Sequence, residues 1–161
     1  MVKIITGPIN SGKTTALINE YKKSGGDGFA SLKLMEGDEV NGFDLIRLAT
    51  GEKRPFIRRS GEEPKGWLAN CTLGPYTFSD EAVWWIESVV SDLVAKGVSP
   101  LYLDEVGILE TDGRCLHETL IKLLESNLDI CFTARDKLVD ELMDVFKIES
   151  AEIISAGERY A

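Results

Sequence analysis

Val2-Lys3-Ile4-Ile5-Thr6-Gly7-Pro8-Ile9-Asn10-Ser11-Gly12-Lys13-Thr14-Thr15 is the stretch whose reading decides the fold. Val2 to Thr6 is a short, β-branched apolar run that stops at a glycine, the pattern of a buried strand. From Thr14 to Lys23 the apolar residues Ala16, Leu17, Ile18 and Tyr21 recur at helical spacing, and Ser24-Gly25-Gly26 supplies the stop. Between them, Gly7-Pro8-Ile9-Asn10-Ser11-Gly12-Lys13-Thr14 matches G-x-x-x-x-G-K-[ST] in full, in the strand-loop-helix context that this motif requires. Glycines let backbone N–H groups turn inward and approach phosphate oxygens with no Cβ in the way. The helix beginning near Gly12 adds its unsatisfied N–H groups and the positive end of its dipole. Lys13 is then the point charge for the β and γ phosphates, the Thr14 hydroxyl a ligand for Mg²⁺, and Thr15 a further donor to the α phosphate.

A Mg²⁺ ion held by Thr14 needs an acid from a neighbouring strand end. Leu101-Tyr102-Leu103 is a short apolar strand that delivers Asp104 and Glu105 at its carboxyl end. Asp104 suits the metal, directly or through water, and Glu105 is placed to polarise a water beside the γ phosphate, as a hydrolase requires. Thr133 closes the apolar run from Leu128 and is either a donor to the γ phosphate or a satisfied strand-end hydroxyl. Arg54, Arg58, Arg59, Arg114 and Arg135 are the candidates for stabilising charge in the transition state, and the sequence does not choose among them.

Further out, Phe29 to Met35 and Gly42 to Leu48 alternate as strands around a Gly37-Asp38 turn. Arg54 to Arg59 reads as a third strand, at an edge because of Pro55, and Pro64 to Pro75 reads as loop. Ser79-Asp80-Glu81 opens a helix with Val83, Trp84, Ile86, Val89, Val90 and Leu93 on its apolar face, Trp85 turned to solvent, and Gly97 at its close. A helix from Leu116 to Leu124, the strand to Thr133, a helix from Lys137 to Phe146 and a strand from Ala151 to Ile154 follow. The expected fold class is α/β. Residues 1–161 form one P-loop NTPase domain, a three-layer sandwich with a mostly parallel central sheet and an antiparallel β-hairpin excursion. Ligands of such sheets bind beyond the carboxyl ends of the strands, where both motifs fall.

Composition agrees with one globular domain: 161 residues, 43% hydrophobic and 28% charged, with no repeat or low-complexity tract. A net charge of -9 repels nucleic acid and anionic membrane, so neither is an expected partner. With neither a signal-peptide core nor a membrane-spanning run, the expected location is the cytoplasm. Cys71, Cys115 and Cys131 are odd in number and widely spaced, which reads as idle thiols, and His117 is the only histidine.

Gly7 to Thr15, taken with Leu103-Asp104-Glu105-Val106-Gly107-Ile108-Leu109-Glu110, resembles the small P-loop nucleoside-triphosphatase family of thermophilic microbes and animals. Gly28-Phe29, Gly42-Phe43-Asp44 and Gly74-Pro75-Tyr76 are similar to that family's intervening blocks, so the likeness spans roughly residues 1 to 155. The resemblance implies Mg²⁺-dependent hydrolysis of several triphosphates, ATP and GTP among them, to NDP and phosphate, with Asp104 linked to the metal and Glu105 activating water. Departures from the family are Asn41 for a common Arg, Ile108 for a frequent Lys, and Thr111 for an apolar residue. The family's Asn-Arg-containing turn and helix are replaced by Ser155-Ala156-Gly157-Glu158-Arg159-Tyr160-Ala161, a candidate wall for the base. Two other readings stay open. One is a nucleoside or nucleotide kinase with Arg54 to Arg59 as its lid. The other is a nucleotide-gated switch, with Trp84-Trp85 toward an unknown protein partner.

Overall fold

The computed structural model describes residues 1–159. Its elements run β1 (Val2–Gly7), α1 (Lys13–Ser24), β2 (Asp27–Glu36), β3 (Glu39–Arg47), β4 (Lys53–Arg59), β5 (Ala69–Leu73), β6 (Tyr76–Ser79) and α2 (Asp80–Ala95). They continue with β7 (Leu101–Leu103), α3 (Ile108–Thr111), α4 (His117–Glu125), β8 (Ile130–Arg135), α5 (Val139–Val145), β9 (Glu152–Ser155) and α6 (Ala156–Arg159). Among the described residues nine strands share one sheet in the order β5-β6-β4-β3-β2-β7-β8-β1-β9.

The sheet has two halves that meet at β2. β2, β7, β8, β1 and β9 are parallel, while β2, β3, β4, β6 and β5 pair antiparallel. The junction is short, with Asp27 opposite Leu101 and Gly28 opposite Tyr102. A Cβ on Gly28 would stand 2.2 Å from the Tyr102 carbonyl oxygen, and its φ of +147 is one that side chains rarely adopt. Glycine at that position is what lets β2 close on β7.

Each strand of the parallel half feeds both faces of the sheet, because successive side chains point to opposite sides. Ile4, Phe29, Leu101 and Phe132 pack with Ile86 of α2, Leu120 of α4 and Leu142 of α5. Their neighbours Ile5, Ala30, Tyr102 and Cys131 pack instead with Ala16 and Leu17 of α1 and Ala156 of α6. α1 buries this face and ends where the glycines predict, with the Gly25 N–H bonded to the Tyr21 carbonyl and Lys22 and Lys23 in its last turn, favourable to the dipole. Ser79 caps α2, its hydroxyl accepting from the Ala82 N–H at 3.1 Å.

Several local expectations need correction. Trp85 is the buried tryptophan, edge-on to Phe29 at 5.0 Å, and Trp84 is 63% exposed. At about 100° per residue, Trp84 lies roughly 160° around the helix from Ile86, the centre of the buried face, and Trp85 lies at its margin. β4 is interior to the sheet, between β3 and β6; Pro55 is tolerated because it sits at the register shift between Phe43 and Asp44, a bulge that needs no ladder donor. The supposed loop before Pro75 contains β5, whose single buried side chain, Cys71, leaves no alternating pattern to read. The antiparallel excursion is therefore larger than one hairpin. The expected last helix begins as a 3₁₀ turn over Asp136–Leu138 before α5. Tyr160 and Ala161, part of the expected base wall, lie outside the described residues.

Candidate active site

The loop from Gly7 to Thr15 leaves β1 at its carboxyl end and enters α1. Gly7 is required by packing, since a Cβ there would stand 2.3 Å from the Ser11 hydroxyl oxygen. Gly12 precedes α1 with φ 87, a left-handed turn that glycine accepts freely. Asn10 adopts φ 61 and accepts a short hydrogen bond from the Lys33 ammonium on β2. Pro8, Ile9 and Asn10 are exposed, while Lys13 is buried. The Lys13 ammonium donates to the Pro8 carbonyl at 2.7 Å. Burial lowers its pKa, and the neighbouring Glu105 opposes that shift.

β7 ends one strand beyond β8, which separates it from β1, so Asp104 arrives beside the loop. Its Oδ2 accepts from the Thr14 hydroxyl at 2.8 Å and from the Ser31 N–H at 3.0 Å. Its Oδ1 accepts from the Thr133 hydroxyl at 2.5 Å and from the Glu105 N–H at 3.1 Å. Burial pushes the Asp104 pKa up, and these four hydrogen bonds work against that. Thr133 is fully buried and also accepts from the Glu105 N–H at 2.8 Å, so its hydroxyl is spent on holding the acidic pair. Glu105 has φ 60, a left-handed kink that turns its side chain from the strand into the cavity. Burial, then the Asp104 carboxylate, raises its pKa, while Lys13 and Arg135 pull it back.

Thr14 Oγ1 and Asp104 Oδ2 stand at 2.8 Å, close to the spacing of adjacent oxygens in an octahedron with bonds of about 2.1 Å. The donor set therefore fits Mg²⁺. Among the described residues no cluster of three or more His, Cys, Asp or Glu makes a protein-only cage, and Mg²⁺ is usually held by one or two carboxylates together with substrate phosphates. Among the described residues the hydroxyls of Ser11 and Ser31 are buried without a hydrogen-bond partner, and both residues line the cavity. Buried hydroxyls of that kind are open donors for a phosphate oxygen or bound water.

The five arginines separate clearly. Arg54 pairs with Glu52 at 2.8 Å and lies 4.2 Å over the Trp85 ring. Arg58 pairs with Asp44 at 2.7 Å, and Arg59 donates to the Val40 carbonyl and stacks toward Tyr76. These three belong to a paired strand and form no lid. Arg114 is exposed beyond α3, with its charge felt at Cys71. Arg135, at the end of β8, lines the cavity, and its charge is felt by both Lys13 and Glu105. Ser31 and Lys33 were not singled out from the sequence. A lone hydroxyl and an alternating lysine in a strand carry no spacing signal, and only the β2–β7 register brings them to the loop.

The three cysteines are free thiols, Cys71 and Cys131 buried and Cys115 half-buried, and the neighbouring Cys71 together with burial pushes the Cys115 pKa up. Burial likewise pushes the Cys131 thiol up to about 12. Glu110 pins the segment after the acidic pair, accepting from the Gly107 N–H at 2.8 Å and the Leu116 N–H at 3.1 Å.

A glycine loop at the end of one parallel strand, facing an acidic pair two strands away, defines a P-loop nucleotide-binding protein. The model of the NTPase family matches residues 3–156, and the chain belongs to that family. It is 26% identical over 137 residues to the nucleoside-triphosphatase THEP1 of Natranaerobius thermophilus, covering 83% of this chain and 75% of that protein. It is also 26% identical over 140 residues to the nucleoside-triphosphatase THEP1 of Pyrobaculum aerophilum, covering 84% and 75%. Two solved structures share the fold at 19% identity. The crystal structure of THEP1 from Aquifex aeolicus has a TM-score of 0.67 over 97% of this chain and 90% of that one. The solution structure of a human cancer-related nucleoside triphosphatase has 0.63 over 95% and 87%. Among the described residues no helix is long and apolar enough to cross a membrane.

Proposed function

We propose that this chain, as a single three-layer P-loop domain, hydrolyses nucleoside triphosphates such as ATP and GTP to NDP and phosphate with Mg²⁺. The observation that carries this reading is the Thr14–Asp104 contact of 2.8 Å with Glu105 turned into the same cavity. Mg²⁺ held by Thr14 and Asp104 would supply charge neutralisation at the β and γ oxygens. Lys13 exchanges the Pro8 carbonyl for the β and γ phosphates, and the loop N–H groups hold the rest of the chain of phosphates. Glu105 accepts a proton from a water whose oxygen attacks the γ phosphorus, the bond to the β-side oxygen breaks, and NDP leaves with that electron pair. Arg135 is the arginine we assign to the charge that develops on the transferring phosphoryl group.

The test is product analysis of the purified chain with Mg²⁺ and each triphosphate, with and without nucleosides and NMPs. Free phosphate independent of any acceptor is expected, and its loss in EDTA. A phosphorylated acceptor in place of free phosphate would replace hydrolase with kinase. Glu105→Gln is expected to bind Mg²⁺-NTP as tightly as the parent and turn it over at least roughly 10²-fold more slowly, the scale of a general base. Parental turnover in that variant rules out the water-activating role.

A further inference from the structure

The cavity at the P-loop has a volume of about 630 Å³, within the roughly 300–1,000 Å³ typical of small-molecule sites. Only one part of it is phosphate chemistry: Asn10 to Thr15, Ser31, Lys33, Glu105 and Arg135. The rest is an apolar chamber walled by Phe43, Phe56, Tyr76, Phe78, Val106 and Leu116, on β3, β4, β6 and the segment following Glu105. We propose that this chamber is a second subsite, one that takes a neutral ring compound of nucleoside size beside the γ-phosphate end of the bound triphosphate. The proposal rests on the reading that the triphosphate lies along the P-loop.

Orientation excludes the triphosphate's own base from the chamber. Lys13 meets the β and γ phosphates and Glu105 the γ, so the γ end points toward β7, and the nucleoside leaves past Thr15 on the far side of the loop. There β9 borders β1, and α6 packs on α1. The chamber lies the other way, beyond β7, against the antiparallel strands.

Its chemistry selects the ligand. Four aromatic side chains line it, with Phe56 and Phe78 edge-to-face at 5.6 Å, an arrangement that presents ring faces and edges to a planar guest. The charged side chain in its wall is Glu110, and both carboxylate oxygens are already taken by the Gly107 and Leu116 N–H groups. The cavity's cations, Lys13, Lys33 and Arg135, belong to the phosphate end, where Lys33 donates to Asn10 of the loop, so with a net charge of -9 on the chain an anionic guest among the aromatic side chains is disfavoured. The rim is apolar too, with Leu73 42% and Ile108 45% exposed. A neutral nucleoside satisfies these terms, and a nucleotide does not.

Calorimetric titration of the full chain with adenosine, guanosine, cytidine, uridine and thymidine tests this, with Mg²⁺ and a non-hydrolysable ATP analogue either saturating or absent. At least one nucleoside is expected to bind in both states without displacing the analogue. Leu73→Trp, which fills the chamber from its exposed rim, and Phe43→Ala, which removes a ring, are each expected to weaken that binding by about tenfold or more, the scale of one lost base–aromatic stack. Analogue affinity should not change in either variant. A nucleoside that competes with the analogue overturns the second subsite, as does binding indifferent to both substitutions. A chain that binds the analogue but no nucleoside at millimolar concentration overturns this inference alone. A chain that fails to bind the analogue overturns the P-loop reading and this inference with it.

Discussion

Lys13 holds the Pro8 carbonyl at 2.7 Å and is buried, so its ammonium is already stripped of most of its water before any substrate arrives. Arg135 has the opposite character. It is exposed at the end of β8 and faces Glu105 and Lys13 across the cavity, which is what a group that engages charge only during the reaction needs. Arg135→Ala is expected to lower kcat by roughly 10²–10³, as loss of one positioned charge donor does, with little change in KM. Arg135→Lys should recover part of the rate, because it restores charge without the guanidinium's fork. Steady-state kinetics of the two variants checks this. A large rise in KM at constant kcat would instead make Arg135 a ground-state phosphate contact.

At the level of elements, the join between β2 and β7 and the segment pinned by Glu110 carry the site. Gly28→Ala would push a methyl into the Tyr102 carbonyl, a backbone atom that no rotamer change can move aside. Separating β2 from β7 also draws the Ser31 N–H from Asp104. The expected loss is about 1–3 kcal/mol or more in denaturant unfolding, the scale of overpacking, together with reduced turnover. A variant of unchanged stability would mean that the strands can part at no cost. Glu110 offers a pH test. Burial raises its folded pKa above the unfolded value, despite the two N–H groups it accepts from and the Cys115 thiol. A raised carboxyl binds more protons in the folded state, so its stabilising contribution is complete below about pH 4.5 and is lost as pH rises through the folded pKa. The stability of the parent minus that of Glu110→Gln should therefore fall as pH is raised from about 4.5 toward 8. Urea unfolding at a series of pH values measures it, and a difference that does not vary with pH contradicts the shift.

Over the whole molecule, two faces of helices clamp the parallel half of the sheet, and the carboxyl ends of β1 and β7 open together on one side. Binding there ties α1 to β7 and to β2 through Thr14, Asp104 and Ser31. Mg²⁺-NTP is therefore expected to stabilise the folded chain, by about 2.7 kcal/mol at a free concentration 100 times Kd, seen as a raised unfolding temperature. Lys13→Ala should lose most of that ligand-dependent rise and keep the unliganded stability near the parent's. Equal rises in both proteins would remove Lys13 from the phosphate contacts.

What was legible in the sequence was what short-range spacing carries. The strand-loop-helix around Gly7 to Thr14, the delivery of Asp104 and Glu105 by a short apolar strand, and the capped start of α2 at Ser79 depend on neighbours within a few residues. Glycine freedom, helical period and cap chemistry are written there directly. Only the tertiary structure decided which arginine reaches the cavity, because Arg54, Arg58 and Arg59 are claimed by the Trp85 ring, Asp44 and the Val40 carbonyl, partners that only folding supplies. The same holds for Trp85 over Trp84, where a residue at the margin of a helix face is buried only because Phe29 and Arg54 receive it. β5 and the approach of Ser31 and Lys33 to the loop are also set by strand register. Register couples residues tens of positions apart, and no local pattern records it.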